Sequence, residues 1–122
     1  MRLEDDPDAA AWVEGLGDPD DFDWDAGNRT KNRKHGVEAE EIESILAAPL
    51  VFAGRIVEPA HDEPRWLALG RTAEGRLVAL VFTRRGERLR PISCRSMRKD
   101  EREVYREALE EGEEAPGQEG DG

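Results

Sequence analysis

Between Arg84 and Arg106 the chain carries nine positive and four negative side chains, although its formal net charge is -11. The densest part reads Thr83-Arg84-Arg85-Gly86-Glu87-Arg88-Leu89-Arg90-Pro91-Ile92-Ser93-Cys94-Arg95-Ser96-Met97-Arg98-Lys99. Guanidinium groups are planar, permanently charged forks that match phosphate oxygens. A phosphate-bearing ligand is therefore the leading explanation for the strip, with a solvated charged face as the alternative. In an extended strand Arg88 and Arg90 point the same way. Pro91-Ile92 suits a bulge or an edge, which would change the phase before Ser93 and Arg95. With Arg84 close across a turn at Gly86, one sheet face is expected to present several guanidinium groups.

Two histidines are available to move protons. His35 follows Lys34 and precedes Gly36 at an expected helix C-terminus, where the helix dipole favours imidazolium. It reads either as a cap over the last carbonyls or as a charge beside a phosphate. His61 stands in a loop with Asp62 and Glu63, and loops often carry function; a surface histidine with no task is the other reading. The spacing fits no zinc or calcium motif, so neither a metal nor a cofactor is expected. The single cysteine, Cys94, excludes an internal disulfide and reads as a small packed residue rather than a nucleophile. Were RNA the substrate, these residue types would suffice. Cleavage by internal attack needs a base for the 2′-hydroxyl proton, an acid for the leaving 5′-oxygen and cations around the crowded phosphate.

The negative charge lies elsewhere in the chain. Residues 1–20 hold seven acids against Arg2, residues 107–122 hold seven acids and no base, and the remaining 86 positions have a net charge of +2. A sequence pI near 4.7 is thus a property of the ends and does not argue against a nucleic-acid partner. At 122 residues and 37% hydrophobic content the chain supports one domain with a modest core. The expected organisation is an acidic extension over 1–20, a domain over 21–109 and a disordered acidic tail over 110–122. That tail is either solubilising or a polyanion that folds back over the basic strip. No run approaches the 18 apolar residues of a membrane span and the N-terminus resembles no signal peptide, so a cytoplasmic protein without a membrane partner is expected.

These side chains need elements to hold them. Phe22-Asp23-Trp24 reads as a short extended anchor, and Asp25 caps a helix from Ala26 to about His35 that Gly36 terminates. A second helix runs from Glu38 to Ala47, with Ile42, Ile45 and Leu46 at core spacing. Four strands follow: Leu50–Val57, Arg65–Thr72, Arg76–Thr83 and Arg88–Arg95. Leu77-Val78-Ala79-Leu80-Val81-Phe82 gives the third of them the apolar run of a central strand. A closing helix from Arg98 to about Glu110 turns Val104, Tyr105 and Leu109 inward. The order predicts an α+β domain: two N-terminal helices, a four-stranded antiparallel sheet and a C-terminal helix.

Several of these segments together resemble the BrnT family. They are Phe22-Asp23-Trp24-Asp25, Lys34-His35-Gly36-Val37, the His61 loop with Arg65 and Gly70, Gly75-Arg76, and Arg90-Pro91-Ile92-Ser93-Cys94-Arg95 closing onto Glu103-Val104-Tyr105. The resemblance covers about 21–106. It implies a RelE-like fold and a metal-independent endoribonuclease toxin of a type II toxin–antitoxin system. It also implies a BrnA-like DNA-binding antitoxin as partner, with operator DNA reached only through that antitoxin. Carried onto this sequence, the resemblance places His35, His61, Arg65, Arg90 and Arg95 in a catalytic role and Lys34, Arg84 and Ser93 against the RNA. Asp62 stands where the family often has serine, and Cys94 and Ser96 replace a common alanine and tyrosine. A second expectation is accordingly a catalytically degenerate member that binds the antitoxin or acts as a co-repressor.

Overall fold

The computed structural model describes residues 1–111 in full and the backbone of the last helix to Asp121. The expectation of a disordered tail over 110–122 falls almost wholly outside the fully described residues.

Among the described residues, five strands form one antiparallel sheet in sequence order: β1 (Arg2–Glu4), β2 (Val51–Glu58), β3 (Trp66–Arg71), β4 (Leu77–Arg85) and β5 (Arg88–Ser96). Four α-helices accompany them: α1 (Pro7–Glu14), α2 (Ala26–Lys34), α3 (Ala39–Ser44) and α4 (Lys99–Asp121). The α+β class and the meander agree with the sequence reading, but the sheet has a fifth strand and there is one more helix before α2. Both additions come from residues 1–20. The acids there conceal an amphipathic pattern, in which Ala9, Trp12, Val13 and Leu16 recur at helical spacing. Asp6 caps α1 by accepting from the Ala9 N–H, and Pro7 follows at the first helical position.

The sheet is apolar on both faces because β3 and β4 are interior strands. Trp66, Ala68, Val78, Leu80, Phe82, Leu89 and Cys94 face α1, α2 and α3, where Ala9, Val13, Ile42 and Ile45 complete the core. Leu67, Leu69, Ala79 and Ile56 face the other way, toward Met97 and Tyr105 beneath α4. Tyr105 is buried and Leu109 packs beside it, whereas Val104 is 48% exposed. The expectation that Val104 turns inward is corrected: it lies one helical step, about 100°, from the Glu101–Tyr105–Leu109 row that meets the sheet.

The sheet ends in the short strand β1 on one side and is covered by a helix on the other. At β2, Gly54 adopts φ +140°, and a Cβ there would lie 2.8 Å from the Glu4 carbonyl oxygen. Glycine is what allows β1 to approach. Along β5, helix α2 replaces a sixth strand. The Asn28 amide donates to the Pro91 carbonyl at 3.1 Å, and Asn32 Oδ1 accepts from the Cys94 N–H at 2.8 Å. Two buried asparagines four residues apart therefore satisfy backbone groups that an edge strand would leave open.

Candidate functional site

The pairing register decides which arginines share a face. On β4 and β5, Arg85 is opposite Arg88, Arg84 opposite Leu89, and Thr83 opposite Arg90. Gly86 and Glu87 form the two-residue turn, with Gly86 at φ +63°. A register shift between Val81 and Phe82 pairs them with Ser93 and Pro91, leaving Ile92 as the extra residue of a bulge. Without it Arg90 and Arg95 would lie on opposite faces. With it Arg90, Ser93 and Arg95 share the α4 side of the sheet. Arg65 precedes Trp66, which pairs with Phe82; alternation therefore sets Arg65 in the same cross-strand row as Thr83 and Arg90. Arg84 falls on the other face, its guanidinium 4.6 Å above the Trp12 ring.

A cleft of about 540 Å³ opens at that row, walled by the first turns of α2 (Asp25 to Asn28, with Lys31) and by Arg65, Arg90, Pro91 and Ile92. Asp25 caps α2 by accepting from the Asn28 N–H at 2.9 Å, and Asn28 reciprocates toward the Asp25 N–H. Arg90 lies over this cap. Its two terminal nitrogens donate to Asp25 Oδ2 at 2.7 Å and Asp23 Oδ2 at 3.2 Å. The Asn28 backbone N–H and then Arg90 hold the Asp25 carboxyl below its usual range. Arg65 carries a buried Nε with no hydrogen-bond partner among the described residues, and its NH2 lies 3.9 Å from Glu63 Oε2.

Beside the cleft, a hollow of about 340 Å³ is lined by Arg55, His61, Asp62, Glu63 and Pro64 among others. Glu63 lines this hollow and faces the cleft residue Arg65 across 3.9 Å. Its Oε1 accepts from Arg85 at 2.7 Å, and this bond, followed by the fields of Arg85, Arg65 and Arg90, holds its carboxyl below the ordinary range. His61 is exposed, and its imidazole has no hydrogen bond or ion pair among the described residues.

The residues singled out from sequence thus divide. Arg65 and Arg90 meet in the cleft, whereas His61 lines the neighbouring hollow and not the cleft. Ser93 is half-buried on the same face. Arg95 is there too, but a bidentate pair to Glu101 at 2.7 and 2.9 Å ties it to the first turn of α4. Lys34 and His35 are exposed at the far end of α2, about 13 Å along the helix from Asp25, and do not line the cleft. Cys94 is fully buried, and desolvation pushes its thiol up to about 12, which fits a packed residue.

Asp23, Asp25, Asn28, Lys31, Glu63 and Arg85 were not named as site residues from sequence. Asp25 and Asn28 did carry a signal, the spacing of a reciprocal cap. Glu63 is two residues before Arg65, the period of an extended chain. Nothing local marks Asp23 as a partner of a residue 67 positions away.

Among the described residues, no three His, Cys, Asp or Glu side chains group as a metal site, and no helix is long and apolar enough to cross a membrane. No curated protein matches the chain. A family model described as the ribonuclease toxin BrnT of a type II toxin–antitoxin system matches residues 24–101. The match begins at Trp24, takes in the whole Arg65–Arg90 cleft and ends at Glu101, the partner of Arg95. It covers well over half of the chain, and the protein accordingly belongs to the BrnT family of ribonuclease toxins, with RNA as substrate and an antitoxin as partner.

Proposed function

We propose that this protein cuts RNA internally at the Arg65–Arg90 cleft without a metal, and that a BrnA-like antitoxin silences it. Operator DNA is then reached only through that antitoxin. One observation carries the reading: two guanidinium groups from different strands, with Lys31 from α2, converge on one open cleft in an otherwise acidic chain. Arg65 and Arg90 hold the scissile phosphate and offset the charge that grows on its oxygens. His61, on the loop that leads into Arg65, protonates the leaving 5′-oxygen. Ser93, and Lys34 with His35 farther along α2, lie where flanking nucleotides would run. Arg95 acts indirectly by fixing α4 beneath the sheet, and Arg84 by bracing Trp12.

Metal independence rests on this inventory, because fixed cations and one imidazole supply the electrostatics and the proton that the step requires. A second reading, a non-cutting partner or co-repressor, is favoured by a specific observation. The cleft guanidiniums already face carboxylates, Arg90 those of Asp23 and Asp25, Arg65 that of Glu63. Expression alone and together with the neighbouring antitoxin separates the two. Growth arrest relieved by co-expression is the expected result. Harmless expression with an intact complex would establish the second reading.

A further inference from the structure

The mechanism above leaves the 2′-hydroxyl proton without an acceptor. His61 serves the leaving group, and Lys34 and His35 are a helix length away. Among the carboxylates near Arg65 and Arg90, most are committed. Asp25 uses Oδ1 on the α2 cap and Oδ2 on Arg90, and Asp23, through Oδ2, pairs with Arg90 but not with Arg65. Glu63 differs. Arg85 fixes Oε1 at 2.7 Å, while Oε2 stands 3.9 Å from the nearest Arg65 nitrogen, too far for a hydrogen bond. One oxygen is thus clamped and the other is free to accept.

We propose that Glu63 is the general base of RNA cleavage, its free Oε2 accepting the 2′-hydroxyl proton of a nucleotide whose phosphate lies against Arg65 and Arg90. The inference rests on the ribonuclease reading above. As the proton moves to Glu63, the 2′-oxygen bonds to phosphorus and the bond from phosphorus to the 5′-oxygen breaks. The leaving oxygen takes a proton from the His61 imidazolium. The products are a 2′,3′-cyclic phosphate and a 5′-hydroxyl, with no oxidation or reduction. Water afterwards returns the proton held by Glu63 to His61.

The surroundings suit the task. Arg85 on β4, Arg65 on β3 and Arg90 on β5 all favour the carboxylate, while Asp62 and His61 are its loop neighbours. A base held below the ordinary carboxyl value of 4.5 is ionised throughout the neutral range. Its activity is lost only as pH falls through that lowered value.

The test uses the full chain with an RNA oligonucleotide, comparing the parent with Glu63→Gln and Glu63→Asp. Glu63→Gln is expected to lower kcat by about 10²-fold and to abolish the acidic limb of the pH–rate profile. KM should stay level or fall, because a negative charge has left a site that binds phosphate. Glu63→Asp should restore part of the rate and the acidic limb. Two results would overturn the assignment: a Glu63→Gln rate within about threefold of the parent, or a variant that changes only KM and melting temperature. Failure of the parent chain to cut any RNA, with the antitoxin complex intact, would instead remove the ribonuclease reading and this inference with it.

Discussion

With Arg65 and Arg90 both replaced by alanine, RNA cleavage should fall by about 10³-fold or more while the chain still folds. The two guanidiniums share one cross-strand row, and in the proposed function they hold a single phosphate from two sides rather than two phosphates in series. Positioned cations are worth most where charge develops in the transition state, and removing one such donor typically costs on the order of 10²–10³-fold. The orientation of Arg90 is already set by Asp23 and Asp25, each through one terminal nitrogen. Arg90→Lys keeps the charge but not the fork, and it should recover only a minor part of the rate.

Folding should suffer little. Both side chains are partly exposed, at 26% and 20%, where ion pairs contribute about 1 kcal/mol or less. Asp25 remains bonded to the Asn28 N–H after Arg90 is gone. The salt dependence of RNA binding gives an independent reading. Loss of the one phosphate contact that the pair makes to single-stranded RNA should reduce the slope of log K against log salt by about 0.7. Single-turnover rates, thermal melts and binding titrations check these points together. A double variant within about tenfold of the parent rate would place the chemistry outside this cleft.

Trp12→Ala should destabilise the protein by about 3 kcal/mol, although residue 12 lies outside the family match at 24–101. The Trp12 ring lies 6.3 Å from Trp66 and 6.3 Å from Phe82, which are themselves 5.8 Å apart. Phe82 is fully buried at the centre of the sheet, so truncation opens a void over the core rather than trimming an edge. Aromatic-to-alanine changes at well-packed sites cost about 3–5 kcal/mol, and the partial exposure of Trp12 places it at the lower end. The stacked Arg84 is released as well, a loss of about 0.5–1 kcal/mol at an exposed site. For a domain of this size the melting temperature should drop by about 10 °C. Trp12→Phe should cost much less, since it keeps an aromatic ring and removes an indole N–H that is buried without a partner among the described residues. Calorimetry or a thermal melt followed by circular dichroism decides. Equal stability of Trp12→Ala and the parent would mean that α1 only rests on the sheet.

Much of the architecture is legible in local chemistry. Asp25 and Gly36 bracket α2 because capping and left-handed termination are decided within a few residues. The run from Leu77 to Phe82 declares an interior strand because both of its faces are apolar. Pro91-Ile92 signals the bulge that returns Ser93 and Arg95 to the face of Arg90. The N-terminal layer is hidden for a compositional reason: six of the first fourteen residues are charged acids or arginine, and they obscure the few apolar positions that dock α1.

At the site, types of side chain were legible and partners were not. Arg65 and Arg90 stand out as cations, yet their alignment depends on a register set by Gly86 and by the bulge. Arg84 looks equivalent in the sequence, but being next to Arg85 it falls on the opposite face. His35 lies only four residues after Lys31, and one further helical turn carries it past the cleft. Glu63 became informative only when Arg85, 22 positions away, fixed one of its oxygens.

The most direct measurement of the central claim is digestion of a defined RNA by the purified full-length chain in excess chelator, with analysis of the new ends. Internal cuts leaving 2′,3′-cyclic phosphate and 5′-hydroxyl termini, and no cut where the 2′-hydroxyl is replaced by hydrogen, are the predicted result. Cleavage that stops on chelation and returns with a divalent ion, or that proceeds through a 2′-deoxy position, would contradict it.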